Sequence, residues 1–375
     1  MNVRYCRNCF LMFKRLFLLA LVLCMQFVAV TAQQRFTDVD TKVRALKANQ
    51  VRDIGNLAEW ISENFSGEEE RLRAIYSWIA NNIRYDMSSA PPSAVDVYQS
   101  KVTVVAFYDR KAVCEGYAGL MDSLSGLVGI PSHLVSGYTR INGELEITPH
   151  VWVSSYIGGK WWLSDPTWGS GAVSENRFIR EFEPKFFMVQ PSAMVISHMP
   201  YDPLWQFLYL PVSHEEFIKN TGNSKNTKKY FQFSDTLELF VACSIEDQYR
   251  QELRRINSQG FHHPAIDQRT NYLEKSIEIF SHNNTIRSLQ EITQLFNKAV
   301  ERYNAYVILF NKQQDKSDRS KQIALLSASL SHLELATVKI NQIHSIPEKL
   351  QPQAKSIRKS VLDLHEKVEN DIRKL

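Results

Sequence analysis

Cysteine is scarce in this chain, and scarcer than its total implies. Five are present in 375 residues, but Cys6, Cys9 and Cys24 fall within the first 32. Those 32 read as a secretory signal peptide. Arg4, Arg7, Lys14 and Arg15 precede an apolar run from Leu16 to Val30, and Val30-Thr31-Ala32 offers small residues for cleavage after Ala32. Removal leaves Cys114 and Cys243, too few for a disulfide framework even in an oxidising compartment. Excess positive charge is also lacking. Lys+Arg number 44 against 40 Asp+Glu, and the first 32 residues hold four basic and no acidic residues, so the formal charge falls from +4 to zero. Nothing basic remains to argue for nucleic acid as a partner. No apolar run after residue 32 reads as long enough to span a bilayer. The expectation is a secreted or periplasmic protein with no stable membrane span.

Tryptophan and glycine run out partway. All seven Trp lie at or before Trp205, and twelve of the 14 Gly at or before Gly171. This shift divides the chain into a signal peptide over 1–32, a mixed domain over 33–212 and a helical bundle over 213–375. The expected fold class is α+β, a helix packed on an antiparallel sheet, followed by all-α structure.

Before residue 90, Leu72, Ile75, Ile79 and Ile83 line one helical face, with Ser66 and Glu69 as a capping box. Ala90-Pro91-Pro92-Ser93 breaks the pattern, and 94–111 reads as an irregular approach. Cys114 opens a helix that Gly129 and Pro131 stop. Strand patterns follow over 132–141, 144–156 and 160–165, with turns at Asn142-Gly143 and Gly158-Gly159. In the bundle, apolar residues recur at helical spacing between breaks at Asn283-Asn284, at 313–320 and at Pro347 to Pro352.

Three residues in this order carry chemistry. Cys114 sits at a helix N-terminus, where unpaired N–H groups and the positive dipole end favour a thiolate. Pairing the strands across Gly158-Gly159 sets Tyr156 against Trp161 and Ser154 against Leu163, which brings His150 and Asp165 to one face as diagonal neighbours. Trp152 and Trp161 share that face and could shelter the pair. A histidine oriented by a carboxylate can take the thiol proton and return it to a leaving group. Singly, each is as well explained as a buried cysteine, a strand histidine or a turn-capping aspartate. Together, in compatible register, they point to a triad. The backbone N–H of Cys114 is the expected oxyanion donor, with Tyr85 and Gln99 as side-chain candidates and Trp152 and Trp168 as cleft wall. Glu115 reads as a helix-end charge, Cys243 as a buried small residue, and His133 and His198 as structural, with a place near the cleft as the alternative for His198; His262-His263 is a weak metal hint that reads better as solvated side chains. No metal and no cofactor is expected.

These residues resemble the transglutaminase-like superfamily of papain-related thiol enzymes. The matching segments are Ala112-Val113-Cys114-Glu115-Gly116-Tyr117-Ala118, Gly129-Ile130-Pro131, Ser136-Gly137-Tyr138, His150-Val151-Trp152-Val153 and Asp165-Pro166-Thr167-Trp168. Ala112 stands where the family usually has glycine. The resemblance covers roughly residues 40–205. The run from His198 to Gln206 and the helical tail are similar to extensions of secreted Bacteroidota members. The resemblance implies a papain-like core with Cys114, His150 and Asp165 as its triad. It also implies attack on a peptide or carboxamide carbonyl of a cell-envelope protein through a thioester. Hydrolysis is the reading adopted. Cross-linking to an amine, and a non-catalytic binding or scaffold role for the same cleft, stay open, as does the oligomeric state.

Overall fold

The structure is a computed structural model and describes residues 36–88, 100–221, 229–311, 318–343 and 345–375. The segment expected to be a signal peptide, Gln99 and the expected break at 90–93 lie outside these. The chain divides into two compact units, 1–241 with 254–269, and 242–253 with 270–375.

The first unit opens with α1 (36–44), α2 (Ile54–Asn64) and α3 (Glu68–Asn82). The α3 cap falls one residue later than the Ser66/Glu69 box predicts. Gly67 is the N-cap and has no side chain to offer, so only the reciprocal bond forms, from Gly67 N–H to Glu70. Glu68, Glu69 and Glu70 in the first turn suit the positive dipole end. Arg73 forks onto Asp40 from α3 to α1 at 2.9 and 2.7 Å, both side chains buried. The rings of Phe187 and Phe182 flank that guanidinium.

Next come β1 (Arg84–Tyr85), α4 (Ser100–Asp109), β2 (Lys111–Ala112) and α5 (Cys114–Leu127). The irregular approach predicted for 94–111 is therefore wrong for α4. Its Val102, Thr103, Val104 and Val105 weaken helix propensity, but burial of Thr103, Ala106 and Phe107 overrides it. The α5 helix ends as expected, with Gly129 at φ +80° just beyond Val128.

The sheet follows the predicted pattern. It contains β3 (Ser132–Ile141), β4 (Glu144–Ile157) and β5 (Lys160–Ser164), with both β3–β4 and β4–β5 antiparallel. Gly158 and Gly159 both have positive φ, as the β4–β5 turn requires. A hairpin of β6 (Gly171–Ser174) and β7 (Arg177–Arg180) stands apart. After the short α6 (Pro191–Met194), β8 (His198–Pro200) pairs on β3, giving the order β5-β4-β3-β8. Val151 and Val153 of β4 join the core with Leu120, Met121 and Leu124 of α5. The opposite face packs Val135, Trp152 and Leu163 on Leu204 and Phe207. This is the predicted helix-on-sheet α+β core.

The remaining helices are α7 (His214–Lys219), α8 (Phe233–Val241), α9 (Ile245–Asn257), α10 (Pro264–Asn311), α11 (Asp318–Asn341) and α12 (Gln351–Lys374). In the second unit α10, α11 and α12 share a core that includes Ile292, Leu326, Leu333 and Val361. The predicted break at Asn283-Asn284 does not exist, since α10 runs through it for 48 residues. Two Asn cost a helix only a few tenths of a kcal/mol each, and neither removes a backbone donor as proline would. The stretch Arg319–Asn341 is long and apolar enough to cross a membrane, which corrects the expectation that no later segment would be. Its apolar residues occupy more than one face. Leu326 and Leu333 are buried, while Leu335 and Val338 are exposed.

Candidate active site

The approach to Cys114 is a short parallel ladder. β1 pairs with β2 so that Tyr85 faces Ala112, and Asp86 N–H donates to the Ala112 carbonyl at 2.8 Å. Ala112 is an ordinary strand residue here, so the family glycine is not required at this position. Gly116 is required for a different reason. A Cβ there would lie 2.5 Å from that of Ala112 and 2.9 Å from that of Ala106, so only glycine lets the first turn of α5 settle on β2 and α4. Cys114 is the first helical residue after the Val113 cap, and it is 3% exposed. Its backbone N–H has no carbonyl earlier in the helix to bond.

His150 and Asp165 meet as the register predicted. His150 Nε2 and Asp165 Oδ2 are 2.8 Å apart. Cys114 is the other polar side chain that bears on the His150 ring. Because Nε2 is held by the carboxylate, Nδ1 is the ring nitrogen left for the sulfur. Asp165 is fixed by its own turn, with Oδ1 accepting from Thr167 N–H at 2.8 Å and Trp168 N–H at 3.1 Å. The ring of His150 lies 6.1 Å from that of Trp152 and 5.9 Å from that of Trp168. Trp161 does not join them as expected. It stacks on Phe207 at 4.9 Å and flanks His133, further along the sheet.

Electrostatics follow from this burial. Desolvation pulls the His150 pKa down, but the charge and hydrogen bond of Asp165, together with the nearby Cys114, outweigh it and push it up to about 10. Burial likewise works against the Asp165 carboxylate, yet His150 and His198 hold it well below the usual range. The resting pair is imidazolium and carboxylate. Tyr85 is pushed up to about 12 by burial and then by the nearby Cys114, Asp165 and Asp86, so its phenol keeps its proton and can donate. Its ring lies between Tyr117 and Phe178, each 6.5 Å away.

His198, expected to be structural, is the residue that sequence reasoning undervalued. Its Nε2 lies 3.1 Å from Asp165 Oδ2, the oxygen that also serves His150. The ligand atoms of His150, Asp165 and His198 lie within 4.8 Å of one another, a donor set that could hold a metal. In this arrangement both Nε2 atoms are engaged by Oδ2. Elsewhere, His262 is 89% exposed at its side chain, as expected. Cys243 is only half-buried rather than buried, and Gln251 Nε2 donates to its sulfur at 3.2 Å.

Parts of the chain are similar to known proteins. Residues 55–166 match the family model described as the transglutaminase-like superfamily. The human kyphoscoliosis peptidase is 31% identical over 201 residues, which is 50% of this chain and 29% of that protein. Cytokinesis protein 3 of Saccharomyces cerevisiae is 23% identical over 220 residues, 51% of this chain and 24% of that protein. The chain therefore spans less than a third of the length of these curated relatives. Among solved structures, the periplasmic domain of TgpA from Pseudomonas aeruginosa aligns with a TM-score of 0.26 at 20% identity, covering 35% of this chain and 48% of that one.

Proposed function

We propose that the chain is a cysteine enzyme that hydrolyses peptide or carboxamide bonds through a thioester, a reading supported by the match of residues 55–166 to the transglutaminase-like superfamily. One observation carries this reading: Asp165 holds His150 at 2.8 Å, and Cys114, the first residue of α5, lies near enough to that imidazole to favour its protonated form. The sulfur attacks the substrate carbonyl as thiolate. The carbonyl oxygen gains negative charge beside the first N–H groups of α5, with the Tyr85 phenol as a second donor. The tetrahedral adduct collapses, the C–N bond breaks, and the leaving amine takes the proton from His150. Neutral His150 then removes a proton from water, which attacks the thioester and releases the acid and Cys114. Trp152 and Trp168 shield the imidazole–carboxylate pair, which strengthens it.

Hydrolysis is favoured over transfer to an amine by the name of the human relative, a peptidase. The protein acts in the envelope or outside the cell after cleavage beyond Ala32, on a protein or peptide partner. The catalytic centre belongs to the first compact unit, which extends past the expected boundary at 212 to take in Phe233, Leu237 and Phe240 against the sheet, and the bundle is the second unit. An iodoacetamide-type activity probe applied to the full chain tests the reading. Wild type labels at Cys114, Cys114→Ala does not, and His150→Ala slows labelling at neutral pH by roughly 10²-fold or more. Equal slow labelling of wild type and His150→Ala would leave only a binding role. With envelope peptides as substrate, two fragments are expected whose masses sum to that of the parent plus one water. Incorporation of an added amine without cleavage would instead mark an acyltransferase.

A further inference from the structure

We propose that His198 is a positioning residue of the reaction, a neutral donor that shares the Asp165 carboxylate with His150 and sets how tightly the imidazolium proton is held. This rests on the reading of Cys114 and His150 as nucleophile and base.

The geometry fixes the tautomer of His198. An ionised carboxylate only accepts, so Nε2 of His198 must carry the proton that reaches Oδ2 at 3.1 Å. On the other side of the ring, Nδ1 lies 2.8 Å from Ser197 Oγ and accepts the hydroxyl proton. His198 is 1% exposed and Asp165 is 0% exposed. A second cation here would face the His150 ring 5.8 Å away. Burial lowers the His198 pKa, so it stays neutral. Asp165 then accepts four N–H bonds, from Thr167, Trp168, His150 and His198, which fills the lone-pair sites of a carboxylate.

The sheet explains how His198 arrives. Thr139 pairs with His198 and Gly137 with both His150 and Pro200, while the β3–β4 register shifts between Gly137 and Thr139. That irregularity, with a glycine at 137 where a Cβ would collide with the Met199 carbonyl, brings β8 close enough for both imidazoles to reach one oxygen. Trp168 lies 4.4 Å and Trp152 5.2 Å from the His198 ring. The titratable groups facing the cluster are Cys114 of α5, the buried phenols of Tyr76 on α3 and Tyr117 on α5, and the half-buried phenol of Tyr85 on β1. All three phenols are raised and so remain neutral.

Two consequences follow for the chemistry. His198 holds Oδ2 where His150 needs it. It also draws charge from that oxygen, so Asp165 binds the His150 proton less strongly than an unshared carboxylate would, which helps the proton leave for the amine. Loss of the donor therefore slows turnover and moves the alkaline limb, where imidazolium is lost, to higher pH. A residue that only fills space moves neither limb once folding is intact.

The test is the pH dependence of iodoacetamide alkylation at Cys114, together with turnover, in wild type, His150→Ala, His198→Phe, His198→Asn and His198→Gln. In His198→Gln the amide nitrogen reaches the place of Nε2. In His198→Asn it reaches only that of Nδ1. The alkaline limb should move up in the Phe and Asn variants, with turnover reduced about ten- to a hundredfold, as is usual for a partner behind a catalytic ligand. Gln should restore both. If the Phe variant does not fold, the Asn and Gln pair still decides. An unmoved limb in a folded Phe or Asn variant, or a Gln variant as impaired as Asn, overturns the role of His198 alone. A His150→Ala profile identical to wild type overturns the underlying reading as well, and the two failures are told apart in one experiment.

Discussion

The Asp165 side chain does two jobs with two oxygens. Oδ1 ties down its own turn through Thr167 and Trp168, and Oδ2 orients His150. A pH signature in stability follows. The His150 pKa is about 10 in the fold against 6.5 for the unperturbed side chain. Below 6.5 both folded and unfolded chains are protonated, so the full stabilisation is present. It is lost progressively as pH rises from there through 10. Asp165 has the opposite sign. Its lowered pKa gives stability that is present above the ordinary value of 3.8 and lost as pH falls below it. The melting temperature of wild type relative to His150→Gln should therefore narrow between roughly pH 6.5 and 10, a trend that a melting series in overlapping buffers reads directly. An offset constant across that window would contradict the charged pair. Residue-level legibility depended on distance along the chain. His150 and Asp165 are separated by one tight hairpin, and its register could be counted. His198 meets Asp165 from 33 positions further on, through a three-residue strand whose pairing no local pattern announces.

Among elements, those defined by turns were the most readable. Asn142-Gly143 and Gly158-Gly159 demand positive φ and fixed the three strands nearly to the residue. The elements whose local preference conflicts with their packing were not. α4 is rich in β-branched residues, and only its burial under α5 reveals it as a helix. The link between α1 and α3 was invisible for another reason, since Asp40 and Arg73 look like ordinary surface charges in the sequence. Both are buried, so removing one partner leaves the other charge stranded. Asp40→Asn should destabilise the first unit by about 3–5 kcal/mol. Urea unfolding of that variant beside Arg73→Met/Asp40→Leu provides the check, because the double replacement should recover much of the loss. If both variants lose equally, the helices rely on packing there and not on the ion pair.

At the level of the whole molecule, the change in composition near residue 212 announced a helical region, and α10, α11 and α12 supply it. Where its helices begin and end was less visible. Asn lowers helix propensity without forbidding it, so continuity through 283–284 had to come from packing. Among the described residues two thiols stand in contrasting settings, one in each compact unit. Cys114 is 3% exposed beside its imidazole, whereas Cys243 is half-buried next to a glutamine amide. Reactivity and reach are thereby separated within one polypeptide. A slender electrophile should find the activated but sunken sulfur first. A bulky maleimide dye should go preferentially to the half-buried Cys243. Peptide mapping after each reagent should show the order of modification reversing with molecular girth, so the dimensions of the entrance can be gauged without knowing what naturally passes through it.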